Sequence, residues 1–503
     1  MPFAKPSDRP PVTDDITPPH AVNPASTVIR DKNRHTAWNM GSPLCSYGTS
    51  VRMLHPQGNA CRPILAIKAH SAQDDMARRT QFMTLSRRHV LTAALAVPLS
   101  TTLVACTTDR KSSDTLTGKV HSLGFLGQRH PDGLTMWRQG VFESPSLLTS
   151  LDLATGEAHQ TALPMARGHS VVALSDGRLV CIPQNGDTVL VVDADHAHSI
   201  SIAAGDGFAF GGHGWEDLEN SLLLLPVMVS PARSVKDSGL LRLHDLQTLE
   251  MVMQKPSGGI HPHEIVYLKD EDKLAITHYG NIRQIGREGP FAFSPADPKL
   301  SLYKRQTLKN LKNYRKPDLN GVLTHLTADQ QGNIYTVSNQ YLTFDPDVQT
   351  SMFAAMDNYK QLTGFHVPAL TQPLVEERRF ALPHPIRKTN LKSGITQLLE
   401  ADNTHLLRSQ SITHHMASGR IFVTFAYSDN ILILEGGKPA LTIDAHRFGL
   451  GNIRGAADLQ GTPYLILTDR HNGIAVVHAQ TLELHTRFDV PLYGSAHVSA
   501  ATA

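Results

Sequence analysis

Histidine is the residue of this chain whose number and spacing point most directly to chemistry. The 503 residues include 27 histidines, and several of these close a turn-like segment and precede a short apolar or mixed run. Neutral imidazole binds copper, zinc, nickel and iron, so such histidines would form a metal site if the fold brought them together. The candidate metal ligands are His169, His213, His261, His263, His325, His414, His415 and His497.

The elements that would position these residues are short strands. Apolar runs such as Leu179–Ile182, Ser221–Leu225 and Tyr464–Leu467 are separated by turns rich in Gly, Asp and Asn, which is typical of β-structure. The residues that precede such runs are spaced by 44, 50, 62, 89, 41 and 42 positions, and they are His169, His213, His263, His325, His414, Gly455 and His497. A period of about 40–50 residues with several short strands per unit indicates a propeller. We therefore predict an all-β chain that forms a seven-bladed β-propeller.

The two ends of the repeat region predict how the ring closes. His497 lies six residues before the C-terminus, which leaves room for one strand of its blade, while strand-like residues without a blade of their own lie at 122–160. We predict that one C-terminal strand pairs with N-terminal strands, because this arrangement removes an exposed sheet edge. The propeller is expected over residues 119–503, with an insertion near 345–400; an eighth blade hidden between His325 and His414 is the alternative.

The residues before the propeller resemble an export signal. Residues 1–82 have no sustained apolar period and are expected to be a disordered leader that is not necessarily native, with Met83 as the true start. Arg87 and Arg88 precede an apolar stretch that ends in Leu103-Val104-Ala105-Cys106, which resembles a twin-arginine lipoprotein signal over residues 83–106. Cys106 would then carry the lipid and residues 107–118 would be a polar tether; a plain signal peptide is the alternative. The expected location is the periplasm of a Gram-negative bacterium, with the protein anchored to the membrane as a lipoprotein.

Several short motifs resemble those of one family. They are Leu163–His169, Gly211–His213, Gly259–Glu264 and Asn320–Leu326, and they are similar to motifs of the uncharacterised, twin-arginine-exported seven-bladed propeller proteins encoded beside imelysin-type iron-uptake proteins. The resemblance covers most of residues 119–503 and implies a role in iron or other metal acquisition, with an imelysin-type periplasmic protein as partner. The long insertion, Gly455 in place of a histidine and the 82-residue leader depart from the family pattern.

Composition and motifs restrict the function further. Charged residues make up 18% of the chain and the net charge is +2, so no nucleic-acid partner is implied. The motifs of hydrolases, phosphate loops and dinucleotide sites are not found in a convincing context, which makes a non-enzymatic role the main expectation. Three hypotheses stay open. The histidines bind a metal, with iron or copper as the expected cofactor; they hold the blades together in an interaction scaffold; or they serve a metal-dependent oxidoreductase or hydrolase.

Overall fold

The computed structural model describes residues 100–104, 107–108, 116–126, 144–283, 293–315, 321–340, 386–399, 406, 408–426 and 428–502. The strands before and within the first three blades are β1 (Ser100–Val104), β2 (Thr107–Thr108), β3 (Lys119–Phe125), β4 (Pro145–Asp152), β5 (Glu157–Ala166), β6 (Gly168–Ala173), β7 (Leu179–Pro183), β8 (Thr188–Val192), β9 (Ser199–Ala203), β10 (Phe208–Phe210), β11 (Trp215–Asp217), β12 (Leu222–Val229), β13 (Leu240–Asp245) and β14 (Met251–Pro256).

The remaining strands follow in chain order. They are β15 (Pro262–Leu268), β16 (Lys273–His278), β17 (Asn281–Arg283), β18 (Phe293–Pro295), β19 (Lys299–Lys304), β20 (Lys309–Arg315), β21 (Gly321–Ala328), β22 (Asn333–Gln340), β23 (Arg387–Asn390), β24 (Thr396–Leu398), β25 (Ser409–His415), β26 (Arg420–Phe425), β27 (Asn430–Glu435), β28 (Lys438–Asp444), β29 (Ile453–Asp458), β30 (Tyr464–Asp469), β31 (Ile474–His478), β32 (Leu484–Phe488) and β33 (Val498–Ala501). Within the described ranges the helical elements are short 3₁₀ turns, at Leu218–Asn220, Lys269–Glu271 and Ala445–Phe448.

Seven antiparallel sheets form the blades of a propeller, as predicted. Blade 1 has the strand order β1-β5-β4-β3-β33 and blade 2 the order β6-β7-β8-β9. In blade 3, β10 and β11 both pair with β12, which is followed by β13 and β14. Blade 4 is β15-β16-β19-β20 with the hairpin β17-β18, and blades 5 and 6 are β21 to β24 and β25 to β28. Blade 7 is β29-β30-β31-β32-β2.

The predicted closure of the ring by a C-terminal strand is confirmed. Strand β33 pairs with β3, from Lys119 opposite Ala501 to Ser122 opposite Val498. The hydroxyl of Ser122 also donates to the carbonyl of His497 at 3.2 Å. The innermost strand of blade 1 therefore comes from the end of the chain and its next three strands come from the beginning.

The hydrophobic core is divided into seven clusters, one at each interface between neighbouring blades. In β7, Val180 and Ile182 face blade 3 while Leu179 and Cys181 face blade 1. A strand that is buried on both faces needs apolar side chains on both, which explains the continuous apolar runs in the sequence. Each fully buried aliphatic side chain contributes about 1.5–3 kcal/mol, and no single blade could bury its faces alone.

Two segments differ from their predicted boundaries. Within the insertion expected near 345–400, β23 and β24 are the two outer strands of blade 5, and residues 341–385 lie outside the described residues. Strands β1 and β2 come from the predicted signal and tether and pair with the outer strands β5 and β32. The outer strand of a blade has unpaired backbone groups along one edge, so an adjacent extended segment can add to it.

Candidate metal centre

Irregularities in the innermost strands direct histidines toward the propeller axis. In β6 the register shifts at His169, which is the extra residue of a β-bulge. His263 and His325 lie at corresponding interruptions of β15 and β21, and His213 lies between β10 and β11. A bulge takes its residue out of the hydrogen-bonded ladder and re-aims the side chain. Bulges in blades 2, 4 and 5 and the break between β10 and β11 in blade 3 thus each supply one imidazole.

These four imidazoles converge. One ligand atom from each of His169, His213, His263 and His325 lies within 4.8 Å of all the others. The ring centroids of His213 and His263 are 4.6 Å apart, and those of His263 and His325 are 5.0 Å apart. His169, His263 and His325 are buried, and the His213 side chain is 12% exposed. This axial histidine cluster, the name used below for the four residues, is largely shielded from solvent.

The surroundings of His263 determine how its ring is oriented. Its Nδ1 donates to the carbonyl of Gly211, so Nε2 carries the lone pair, and this atom lies 3.2 Å from His325 Nε2. Two nitrogens that each bind one ion at about 2.1 Å are about 3.0–3.4 Å apart in square or tetrahedral geometry, so the observed distance fits a shared ion. The largest separation in the cluster, 4.8 Å, exceeds the about 4.2 Å across such an ion, so at least one ring must shift by a few tenths of an ångström.

Several ring nitrogens at the axis are buried without a hydrogen-bond partner among the described residues. These atoms are Nε2 of His169, His213 and His497 and Nδ1 of His325. Buried polar atoms are nearly always hydrogen-bonded, and each unsatisfied one costs about 1–3 kcal/mol. A metal ion bound by Nε2 of His169 and His213 would remove that cost for these two atoms, so the donor set fits a metal.

The histidines at the axis are held in the neutral form that binds metals. Burial lowers the pKa of His263 to about 3, against the opposing effect of its bond to Gly211. Burial and then the neighbouring imidazoles lower the pKa of His169, His213, His325 and His497 well below 6.5. Their lone pairs are therefore not taken by protons at neutral pH.

His497 adds a fifth imidazole next to the axial histidine cluster. Its ring centroid lies 4.5 Å from that of His169, 4.8 Å from that of His213 and 4.6 Å from that of His325. It precedes the closing strand β33, so the step that closes the ring also brings this imidazole to the axis. His497 is therefore placed to act as an additional ligand or as a neighbour that shields the site.

Two further side chains support the cluster from outside. Glu264, which follows His263 in the sequence, accepts from the backbone N–H of Leu326 at 2.8 Å and its Oε1 lies 3.6 Å from His213 Nδ1. Burial raises the pKa of Glu264 to about 8, with the bond from Leu326 opposing. A carboxyl group on the outer nitrogen of a histidine directs the inner nitrogen to a metal.

The hydroxyl of Tyr279 lies 3.1 Å from His263 Nε2 and receives a hydrogen bond from Gln184 Nε2 at 2.7 Å. Neither Tyr279 nor Gln184 is predicted from the sequence to be a site residue, because both lie at the ends of second strands rather than at the histidine positions of the repeat.

Three of the predicted ligands lie outside the axial histidine cluster. His261 contacts Asn281 through Nδ1. His415 is fully buried between blades 6 and 7, where its Nδ1 bonds to Ser418 and its Nε2 bonds to the carbonyl of Tyr464. His414 lies at the far end of β25, near Asp329 and Asp458. The structure does not bring these three residues to the four converging imidazoles.

In blades 6 and 7 the place of the axial histidine is taken by Gln410 and Arg454. Gln410 and Arg454 are the extra residues where the register shifts in β25 and β29. The residue that follows each of these two donates its backbone N–H to a threonine hydroxyl on the next strand. The residue that follows His263 makes the same kind of bond. The donor–acceptor pairs are Glu264–Thr277 at 3.3 Å, Ser411–Thr424 at 3.0 Å and Gly455–Thr468 at 3.2 Å. The repeat positions predicted at His414 and Gly455 are therefore displaced, by four residues and by one.

The residues that define the predicted export signal lie outside the described part of the chain. Arg87, Arg88 and the predicted lipidation site Cys106 lie outside the described residues. Among the described residues, no helix has the length and hydropathy needed to cross a bilayer.

A family described as "Protein of unknown function (DUF1513)" matches residues 161–373, a range that contains all four members of the axial histidine cluster. No curated protein matches the sequence.

Solved structures with a similar fold are found at low sequence identity. The lignostilbene dioxygenase of Pseudomonas brassicacearum is 11% identical, with a TM-score of 0.51 over 80% of this chain and 96% of that one. A mutant of the apocarotenoid oxygenase (ACO) of Synechocystis is 11% identical, with a TM-score of 0.50 over 81% of this chain and 97% of that one. At such identities the similarity concerns the fold alone.

Proposed function

We propose that this propeller binds one transition-metal ion, iron or copper, at its axis through His169, His213, His263 and His325. The observation that carries the proposal is the convergence of four neutral, largely buried imidazoles whose ligand atoms lie within 4.8 Å of one another. The buried nitrogens without hydrogen-bond partners support it, because holding the blades together would not require leaving lone pairs unsatisfied. Imidazole nitrogen suits both metals.

We further propose that the site serves metal acquisition in the periplasm. In this proposal, Arg87 and Arg88 direct export, Cys106 carries a lipid anchor, and an imelysin-type iron-uptake protein is the partner. The resemblance of residues 83–106 to a lipoprotein signal and the short motifs of the repeat support this role. A chain expressed with Arg87→Lys and Arg88→Lys is expected to stay in the cytoplasm, and export of that variant at the normal level would contradict the proposed route.

Metal analysis of the full chain, purified from the compartment in which it accumulates, tests the metal site. One equivalent of iron or copper is expected, and His213→Ala and His263→Ala should each remove most of it. His414→Ala is the matched control, because His414 is also a buried histidine of an innermost strand but lies outside the axial histidine cluster. Protein that contains no metal and takes up none, with stability alone changed by the two cluster variants, would instead support the interaction scaffold.

The position of Tyr279 favours a second candidate, a metal-dependent oxidoreductase. If a metal takes the lone pair of His263 Nε2, the phenol that lies 3.1 Å away can direct its hydrogen to an oxygen ligand of the metal. Four nitrogen ligands leave coordination positions open for such a ligand. Nitric oxide added to the ferrous protein tests this candidate: a visible-region adduct supports an open position, whereas an unchanged spectrum shows a closed metal site and excludes oxygen chemistry there.

A further inference from the structure

The outer edge of blade 1 is covered by a strand from outside the repeat. Strand β1 pairs antiparallel with β5, from Ser100 opposite Thr161 to Val104 opposite Glu157. Thr161 is buried, with 5% of its surface exposed, whereas Met251 of β14, the outer strand of blade 3, is 51% exposed. A strand that adds to an open edge gives the backbone groups of that edge their hydrogen-bond partners. The outer edge of β5 is therefore one that accepts a further strand.

The sequence of β5 differs from those of the uncovered outer strands. Lysine or proline on an outer strand hinders the addition of another strand. Strands β14, β20 and β28 contain such residues, namely Lys255, Pro256, Lys309, Lys312, Lys438 and Pro439. Strands β9 and β24 have only five and three residues. Strand β5 has ten residues, and those from 158 to 163 include no lysine, arginine, acidic residue or proline, so its edge is protected by β1 and not by its own side chains.

Two residues of β5 define the segment that fits this edge. Pro164 is exposed and has no N–H, so it limits the acceptor edge, the name used below, to residues 157–163. His159 Nε2 is buried and has no hydrogen-bond partner among the described residues, and the register places Thr102 opposite His159. An asparagine at that opposite position would donate or accept as either tautomer of His159 requires.

The predicted cleavage site lies between the two segments that cover outer strands. Strand β2 pairs with β32, the outer strand of blade 7, with Thr107 opposite Phe488. Val104, the last residue of β1, and Thr107 flank Ala105 and Cys106 in the sequence. Cleavage before Cys106 would therefore remove the cover of β5 and leave that of β32 in place.

We propose that the acceptor edge binds an extended segment of a partner protein, which takes the place of β1 after cleavage before Cys106. The segment runs antiparallel to β5, as β1 does, and main-chain hydrogen bonds supply most of its affinity. It is uncharged, because the residues beside it, such as Gln160 and Thr161, are buried. The acceptor edge stands on the pairing of β1, whereas its release in the cell rests on the lipoprotein signal of the proposed function.

Fluorescence anisotropy of a labelled peptide with the sequence of residues 98–105 tests the acceptor edge in the full chain. Thr101→Pro combined with Thr102→Pro removes whichever of these two N–H groups faces β5, because alternate residues of an antiparallel strand face the partner. This variant should bind the peptide with a dissociation constant of about 100 µM or lower. The unmodified chain should bind it about tenfold more weakly, because its own β1 competes at an effective concentration of about 1 mM.

Thr107→Pro combined with Thr108→Pro is the matched control, because it disrupts the pairing of β2 with β32 and leaves β1 in place. This control should bind the peptide as weakly as the unmodified chain does. Thr102→Asn in the peptide should tighten its binding to the Thr101→Pro, Thr102→Pro chain by about threefold or more. Equal binding by the two double variants, or no gain from the asparagine, overturns the acceptor edge as described.

A benzophenone in place of Leu103 of the peptide locates the bound segment, because Leu103 lies opposite Ala158. Cross-linking to residues 157–163 supports the acceptor edge, and cross-linking elsewhere overturns it. If the Thr101→Pro, Thr102→Pro chain unfolds early, excess peptide on the unmodified chain should give the same cross-link. If that variant forms a dimer that the peptide does not dissociate, the edge takes a second copy of this chain and the partner proposal is refuted.

The mass of the exported protein separates the acceptor edge from the proposed export route. A chain that starts at Cys106 lacks β1 and should bind the peptide without any substitution, which would support the release step. An exported chain that keeps β1 refutes both the release step and the lipoprotein proposal, while the peptide titrations still decide the acceptor edge. Failure of peptide binding by a chain that starts at Cys106 refutes the acceptor edge and leaves the export route standing.

Discussion

At the scale of the residue, the location of an imidazole in its blade decides its role. His263 and His415 are both buried at an innermost strand, yet His263 has a ring nitrogen 3.2 Å from His325 while both nitrogens of His415 bond to Ser418 and Tyr464. The first is available to a metal and the second holds two blades together. Residue type and period predict that both histidines are buried. They cannot distinguish the two roles, because a shift of one residue in the strand register changes the role of a histidine.

The buried histidines should make the metal-free protein sensitive to acid. The pKa of His263 is about 3 in the folded protein against 6.5 ordinarily, so the unfolded chain binds the proton more strongly. Its stabilising contribution is complete above pH 6.5 and is lost as the pH falls toward 3. One such histidine lowers the free energy of unfolding by about 1.4 kcal/mol for each pH unit below about 6.

Urea unfolding of metal-free protein at pH 7, 6, 5 and 4.5 measures this slope. His263→Gln should reduce the slope by about one proton, whereas His198→Gln, at an exposed histidine, should leave it unchanged. Identical slopes in all three proteins would show that His263 is not kept neutral by the fold.

At the scale of the element, the glycines around His213 explain why the cluster can be so dense. Gly212 has a φ of +111°, and a Cβ built there would lie 2.8 Å from His169 Cδ2 and 2.9 Å from His263 Cε1. A Cβ on Gly211 would lie 2.1 Å from the carbonyl oxygen of Pro262. The Gly-Gly-His motif is visible in the sequence. The sequence does not show why glycine is required there, because the atoms that exclude a side chain come from blades 2 and 4.

Gly212→Ala should therefore disrupt the axial histidine cluster without removing a ligand. The added methyl group must push the His169 and His263 rings apart, so a loss of metal affinity of about tenfold is expected, together with roughly 1–3 kcal/mol of stability. Metal titration and thermal unfolding of the same samples measure the two effects.

Gly461→Ala is the control for backbone strain, since Gly461 has a φ of +75° and nothing within 4 Å of its added Cβ. It should lose about 1 kcal/mol of stability and no metal affinity. Equal metal affinity in Gly212→Ala and the unmodified protein would mean that the rings are not packed as described.

At the scale of the whole molecule, the sequence predicts architecture better than chemistry. Seven blades and the closing strand follow from the period and from the short tail after His497, because each blade must bury both faces and the ring must have no open edge. The axial site is less predictable, since the bulges that aim its residues shift the register within a strand. For this reason the sequence indicates His414 and Gly455 where the structure has Gln410 and Arg454.

The closing strand should support both the fold and the site. A chain that ends at Gly494 loses β33 and His497, and with them the pairing of four residues in β3 and the bond from Ser122 to the His497 carbonyl. At about 0.5–1.5 kcal/mol for each lost hydrogen bond, the loss amounts to several kcal/mol, which is a large part of the about 5–15 kcal/mol typical of a folded domain. It also exposes the edge of β3, which favours association between chains.

Thermal unfolding and light scattering should therefore show a lower midpoint and aggregation for the chain that ends at Gly494. A chain that ends at Ala501 keeps all of β33 and is the matched control. His497→Ala in the full chain separates the two contributions of this segment: it should retain the unfolding midpoint of a closed ring while weakening the binding of metal. If the chain that ends at Gly494 unfolds at the same temperature as the full chain, the ring does not depend on its C-terminal strand, and the apolar interface between blades 7 and 1 must then be sufficient to close it.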